Sequence, residues 1–168
     1  ADLQVDELLL INDFTAMALG MTRLKDDEYL TVCHGVGKPD RPRVVVGPGT
    51  GLGVGTLIKL EGNRWMALPG EGGHADLPIG TAREALLWTR LMAEHEHVSA
   101  EVVLSGAGLL LLYQVSCALD DIEPVLKSPA AITTAALSGD PVAAAVLEQF
   151  CVFLGRVVGN HVLALGSL

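Results

Sequence analysis

Glu71 and His74 stand three residues apart in the stretch LPGEGGHADLPIG, Leu68 to Gly80, on a backbone whose glycines can bend both side chains toward one point. A carboxylate accepts two hydrogen bonds and an imidazole donates or accepts, so the pair suits the reading of vicinal hydroxyl groups. Asp76 follows closely, and a metal site of Glu71, His74 and Asp76 is the rival reading, although no second His or Cys lies nearby at a zinc spacing. Asn12 and Asp13 form a second polar pair, in LLLINDFTAMALGM. Asp13 could take a proton from a hydroxyl nucleophile and Asn12 could bond neighbouring hydroxyls; equally, Asp13 could cap the helix that follows. The stretch GPGTGLGVG, Gly47 to Gly55, could bring backbone N–H groups close to a phosphate, with Thr50 as a hydroxyl donor. It has no Gly-Lys-Ser/Thr and runs into a strand, so neither the nucleotide P-loop nor the dinucleotide fingerprint applies, and an ordinary tight hairpin is the plain alternative. Glu101, in HVSAEVVLSGAGL, is either a further carboxylate of the same site or one more exposed helix charge.

These residues need elements to hold them. Leu8 to Ile11 is a run too short for a helix and right for a buried strand, and Phe14, Met17, Ala18 and Met21 then recur with helical spacing. Residues 24–42 are polar and rich in proline and glycine, the composition of a connection or domain boundary. The segment from Pro42 to Leu68 alternates apolar runs with glycine turns and predicts an antiparallel meander of three strands. From Thr81 the pattern becomes helical. Thr81 and Glu84 have capping-box spacing, with Ala85, Trp88, Leu91 and Met92 on one face and HEH at 95–97 as a solvated helix end. Ser128-Pro129 and Asp140-Pro141 each open a further helix, and Asp140 to Leu165 reads as one long helix.

The 168 residues suit one main core without staples. A formal charge of -9, with eleven Lys and Arg scattered along the chain, argues against nucleic acid and anionic membrane surfaces and favours a small, neutral substrate. Cys33, Cys117 and Cys151 form no CxxC pair and read as reduced thiols in a cytoplasmic protein. Gly155 and Gly159 have membrane-dimer spacing, but Glu148, Arg156, Asn160 and His161 interrupt that run, which favours close packing of soluble helices. The start is acidic rather than basic, unlike a signal peptide.

Taken in order, LLLINDFTAMALGM, GPGTGLGVG, LPGEGGHADLPIG and HVSAEVVLSGAGLLLLY resemble the bacterial glucokinase family, from about Leu8 to the end of the chain. The resemblance implies an α/β protein of the ribonuclease-H-like, actin-like ATPase fold, in which a strand–glycine turn–strand holds phosphate. It implies transfer of the γ-phosphoryl group of ATP to the 6-hydroxyl of glucose. Asp13 would be the catalytic base, and Asn12, Glu71, His74 and Glu101 would bind sugar hydroxyls. Gly51 would touch the sugar, while Gly49, Thr50 and Gly53 line the phosphate path together with it. Magnesium would arrive with the nucleotide, with no dedicated protein metal site, since the cysteine-rich zinc motif of repressor-type sugar kinases is absent. The expected assembly is a cytoplasmic homodimer. Residues 1–23 would be a remnant of the small α/β domain and 24–168 most of the large α+β domain. A DxGGT-like phosphate turn and a final apolar-Gly-Gly segment over the adenosine are expected of such kinases and are not among these 168 residues. The expectation is therefore a segment of a larger enzyme, with a non-catalytic sugar-binding or regulatory module as the alternative.

Overall fold

The computed structural model describes residues 10–167. The strand expected over Leu8 to Ile11 lies partly outside the described residues; Leu10 and Ile11 themselves are exposed and belong to no strand. A buried strand needs neighbours and cover, and no described strand pairs with them.

Helix α1, Asp13–Met21, starts where Asn12 turns its side chain back: its Oδ1 accepts from the amides of Phe14 (2.9 Å) and Thr15 (3.1 Å). Asn12, and not Asp13, is therefore the cap, because the residue with extended backbone just before the first turn is the one whose side chain can reach those free N–H groups. No helix or strand follows until β1, Arg43–Pro48. Strand β1 then pairs with β2, Leu52–Leu60, and β2 with β3, Arg64–Leu68, both antiparallel, in the order β1-β2-β3. The expected meander is thus present. Gly62, with φ of 70°, takes the left-handed conformation in the turn between β2 and β3.

The central strand separates two environments by simple alternation. Leu52 and Val54 point into the main core, whereas Gly53 and Gly55 face α1. A Cβ on Gly53 would overlap the Phe14 ring, one on Gly47 would lie 2.8 Å from it, and one on Gly55 would lie 3.5 Å from the Ala18 Cβ. The register pairs Gly47 with Gly53, so two adjacent strands leave one hollow for one aromatic ring.

The rest is helical: α2, Ala82–Leu91; α3, Ala100–Val103; α4, Gly106–Leu119; α5, Pro129–Leu137; and α6, Pro141–Ala164. Thr81 and Glu84 form the expected capping box. The buried face of α2 is Glu84, Leu87 and Leu91; Ala85 and Trp88 are half-buried, and Met92 lies past the helix end and is exposed, so the apolar stripe is rotated from the expected one. A buried carboxylate on that stripe causes the difference. Ser128 and Asp140 cap α5 and α6 through their side chains, each with proline in the first turn. Helix α6 is long and apolar enough, by length and composition, to cross a membrane. One stripe of it packs into the core: Ala143, Val146, Phe153 and Val157 are buried in the same cluster as Leu109, Leu112 and Ile132 from α4 and α5, while the rest of the helix is half-buried or exposed.

Candidate active site

The hairpin tip Gly49-Thr50-Gly51 joins β1 to β2 and is drawn tight by its own backbone. The Gly49 N–H donates to the Gly51 carbonyl (2.7 Å), and the Gly49 carbonyl accepts from the Gly106 N–H at the start of α4 (2.8 Å). Both polar groups of Gly49 are therefore used to fix the tip. Glu101, on α3, reaches the other side of it: Oε2 accepts from the Leu52 N–H at 2.7 Å. A Cβ on Gly51 would collide with that carboxylate, so the glycine is what allows the approach. Glu101 is thus a partner of the hairpin rather than a solvated charge.

The Glu71–His74 stretch folds as a single 3-10 turn, Gly72–His74, closed by bonds from His74 N–H to the Glu71 carbonyl (3.0 Å) and from Ala75 N–H to the Gly72 carbonyl (3.3 Å). Gly73 packs directly on the Leu52 carbonyl, which a side chain would obstruct. Past the turn the chain pairs with the segment that leads into α3: Leu77 N–H donates to the Val98 carbonyl and Ala100 N–H to the Ala75 carbonyl, at 3.0 and 2.8 Å. In consequence His74 sits between two carboxylates, with Nε2 3.8 Å from Glu71 Oε2 and Nδ1 3.9 Å from Glu101 Oε1. These gaps exceed hydrogen-bond length, and both ring nitrogens remain available to hydroxyl groups placed between them.

The metal alternative fares differently. Asp76 turns away to His97, Oδ1 to Nε2 at 2.7 Å, and no three His, Cys, Asp or Glu side chains converge among the described residues. His97 belongs to the loop after α2, not to a helix end, because α2 stops at Leu91.

A cleft of about 490 Å³ lies between α1, the hairpin and the turn. Its lining includes Asn12, Asp13, Gly49, Thr50, Gly51, Gly53, Glu71 and Glu101, and His74 lies beside it. Residues scattered over nearly ninety positions of sequence thus meet at one opening, with Asp13 in the first turn of α1 at its rim. The Asn12 Oδ1 is occupied by capping, which leaves its amide N–H groups to donate.

The glucokinase family model matches residues 1–168. The chain belongs to the glucokinase family. It is 51% identical over 167 residues to a glucokinase of Pseudomonas aeruginosa (strain LESB58), covering 99% of this chain and 50% of that protein. Against a glucokinase of Chromobacterium violaceum it is 45% identical over 166 residues, with 98% and 47% covered. The chain spans about half the length of these relatives. Among solved structures, glucokinase from an Antarctic psychrotroph superposes with a TM-score of 0.84 at 35% identity, covering 94% of this chain and 49% of that one. Glucokinase from Balamuthia mandrillaris in complex with glucose gives 0.65 at 25% identity, over 78% and 39%. The fold is accordingly an α/β one, part of that of a sugar kinase.

Outside the cleft lies a polar group that sequence spacing alone did not single out as more than a cap. Glu84 is 1% exposed. Its Oε2 accepts from the amides of Gly80 (2.7 Å) and Thr81 (3.0 Å) and pairs with Arg156 Nη1, while Oε1 accepts from Gln149 Nε2 at 3.0 Å. Burial pushes this carboxyl upward, but the bonds from Arg156, Gln149 and Gly80 outweigh it and bring its pKa from 4.5 down to about 2. Arg156 and Gln149 both come from α6, so the capping box of α2 is also a tie between distant parts of the chain.

Proposed function

We propose that the protein of which this chain is part phosphorylates glucose on its 6-hydroxyl with ATP. The observation that carries this is the single cleft shared by Asn12, Asp13, the glycine hairpin, Glu71 and Glu101, in a chain of this family. Glucose lies with its vicinal hydroxyls against Glu71, His74, Glu101 and the Asn12 amide, and its ring against Gly51. Asp13 takes the proton of the 6-hydroxyl as that oxygen attacks the γ-phosphorus; the bond to the β–γ bridging oxygen breaks and ADP leaves. Gly49, Thr50, Gly51 and Gly53 border the path of the phosphates, and magnesium accompanies the nucleotide as part of the substrate. The work left to the protein is positioning, which the tied hairpin and the closed turn support.

Residues 1–23 then represent the small domain and 24–168 the large one, in a cytoplasmic, homodimeric enzyme that feeds glycolysis and engages neither nucleic acid nor membrane. A non-catalytic module is the less favoured reading, since the relatives at 51% and 45% identity are named glucokinase. A coupled assay for glucose 6-phosphate, with the protein at its native length, tests the proposal. Turnover on the order of 1–100 s⁻¹ that vanishes without glucose or ATP is expected; absence of glucose-dependent ADP release overturns it.

A further inference from the structure

The turn that carries Glu71 and His74 packs against two elements. Gly73 rests on the Leu52 carbonyl of β2. Beside it stands α6. A Cβ on Gly72, at the start of the stretch, would lie 2.7 Å from His161 Cε1 and 2.9 Å from the Val54 Cβ; one on Gly80, at its end, would lie 2.9 Å from Arg156 Cζ. One helix therefore backs both ends. The Arg156 contact is accounted for by its pair with Glu84. His161 is another matter: it is half-buried, and among the described residues its ring has no hydrogen-bond or ion-pair partner. The edge of its ring lies against Gly72.

We infer that His161 is a positioning residue for the turn, its ring filling the space beside Val54 against Gly72 so that Glu71 and His74 are held toward the cleft. The argument is one of packing. The Val54 side chain and the His161 ring meet over the same face of Gly72, so the start of the turn rests on a surface that these two side chains make together. Removing the ring leaves a hollow on one side. The turn then samples more orientations, and the two side chains it carries must be ordered again each time a ligand binds. The loss falls on binding, common to ground and transition states, rather than on the chemical step. The inference rests on the proposal that this turn binds glucose.

The test uses the protein at its native length with His161→Ala, His161→Gln, which keeps a planar group of similar reach, and Gly72→Ala, which presses on the same contact from the opposite side. Hydrogen exchange is read at the His74 and Ala75 amides, whose bonds close the turn. In His161→Ala these amides should exchange about tenfold faster while those of β2 are unchanged. Glucose KM should rise about five- to tenfold with kcat within about twofold, and His161→Gln should restore both to within about twofold. Gly72→Ala should raise KM in the same direction. Unchanged exchange, or faster exchange with unchanged KM, overturns the inference. If the unsubstituted protein does not phosphorylate glucose, the proposed activity falls by itself. The exchange result in the variants then still decides whether His161 holds the turn.

Discussion

At the scale of the residue, Asp13 carries the sharpest claim. Its Oδ1 accepts the Phe14 N–H at 2.7 Å, so Asp13→Asn preserves shape and much of the local bonding while removing the group proposed to accept the hydroxyl proton. Turnover should fall by about 10²–10⁴-fold with glucose affinity within about tenfold, read from kcat and from calorimetry. A variant retaining wild-type kcat would reduce Asp13 to a residue of the helix's first turn. Glu71→Gln and His74→Ala are expected to act on binding instead. Each should weaken glucose by about 1–3 kcal/mol, seen as a raised Kd in titration calorimetry, because each strips a partner from a hydroxyl that has left water. Gly51→Ala tests the hairpin. The added methyl meets the Glu101 carboxylate and forces it off the Leu52 amide, so glucose affinity should fall in company with that of Glu101→Ala. Titration of the double variant checks this: the two losses should not add, as expected of groups acting through one contact.

At the scale of the element, the tie between α2 and α6 makes a prediction about acid. The folded pKa of Glu84, about 2, lies below its ordinary value of 4.5. The carboxylate therefore stabilises the fold fully above about pH 4.5, and that stability is lost as pH falls from there toward 2. The size is about 3 kcal/mol. Glu84→Gln should flatten the acid limb of stability against pH in denaturant melts while costing about 3 kcal/mol at neutral pH, since it leaves Arg156 short of its counter-charge. An unaltered acid limb would show that other carboxylates govern acid unfolding. This element also shows where sequence reading reaches its limit. The caps at Thr81, Ser128 and Asp140 and the three strands were legible because their signals are local: a cap needs three or four residues, a strand a few alternations. The contact of Glu101 with Leu52 spans 49 positions and that of Glu84 with Arg156 spans 72, and nothing near either residue announces its partner. The glycines of GPGTGLGVG were legible as a turn between strands but not as a floor. Gly47, Gly53 and Gly55 make room for α1, a demand set by packing on a strand's second face. His161 was legible only as a break in an apolar run, since a ring without a hydrogen-bond partner among the described residues has no motif.

At the scale of the whole molecule, the 168-residue chain by itself should phosphorylate glucose little or not at all with ATP and magnesium. Phosphoryl transfer depends on phosphate, metal and nucleotide contacts held in place together, and the chain spans about half of its relatives. Turnover near ordinary kinase values in a coupled assay would show that this half of the relatives' length is enough for the transfer. The attachment of α1 has a consequence for how the molecule comes apart. Between Met21 and Arg43 there is neither helix nor strand, and Arg23 and Lys25 there are exposed and not followed by proline, which makes them sites for trypsin. Beyond that link, α1 is held by the Phe14 ring in its glycine hollow and by Ala18 against Gly55, with Met17 and Met21 about half exposed. So small a seat gives little affinity once the covalent link is cut. A brief digest should therefore release the N-terminal peptide on gel filtration while the sheet and helices α2 to α6 stay resistant. The proposed base would then leave the rest of its site in a single cut.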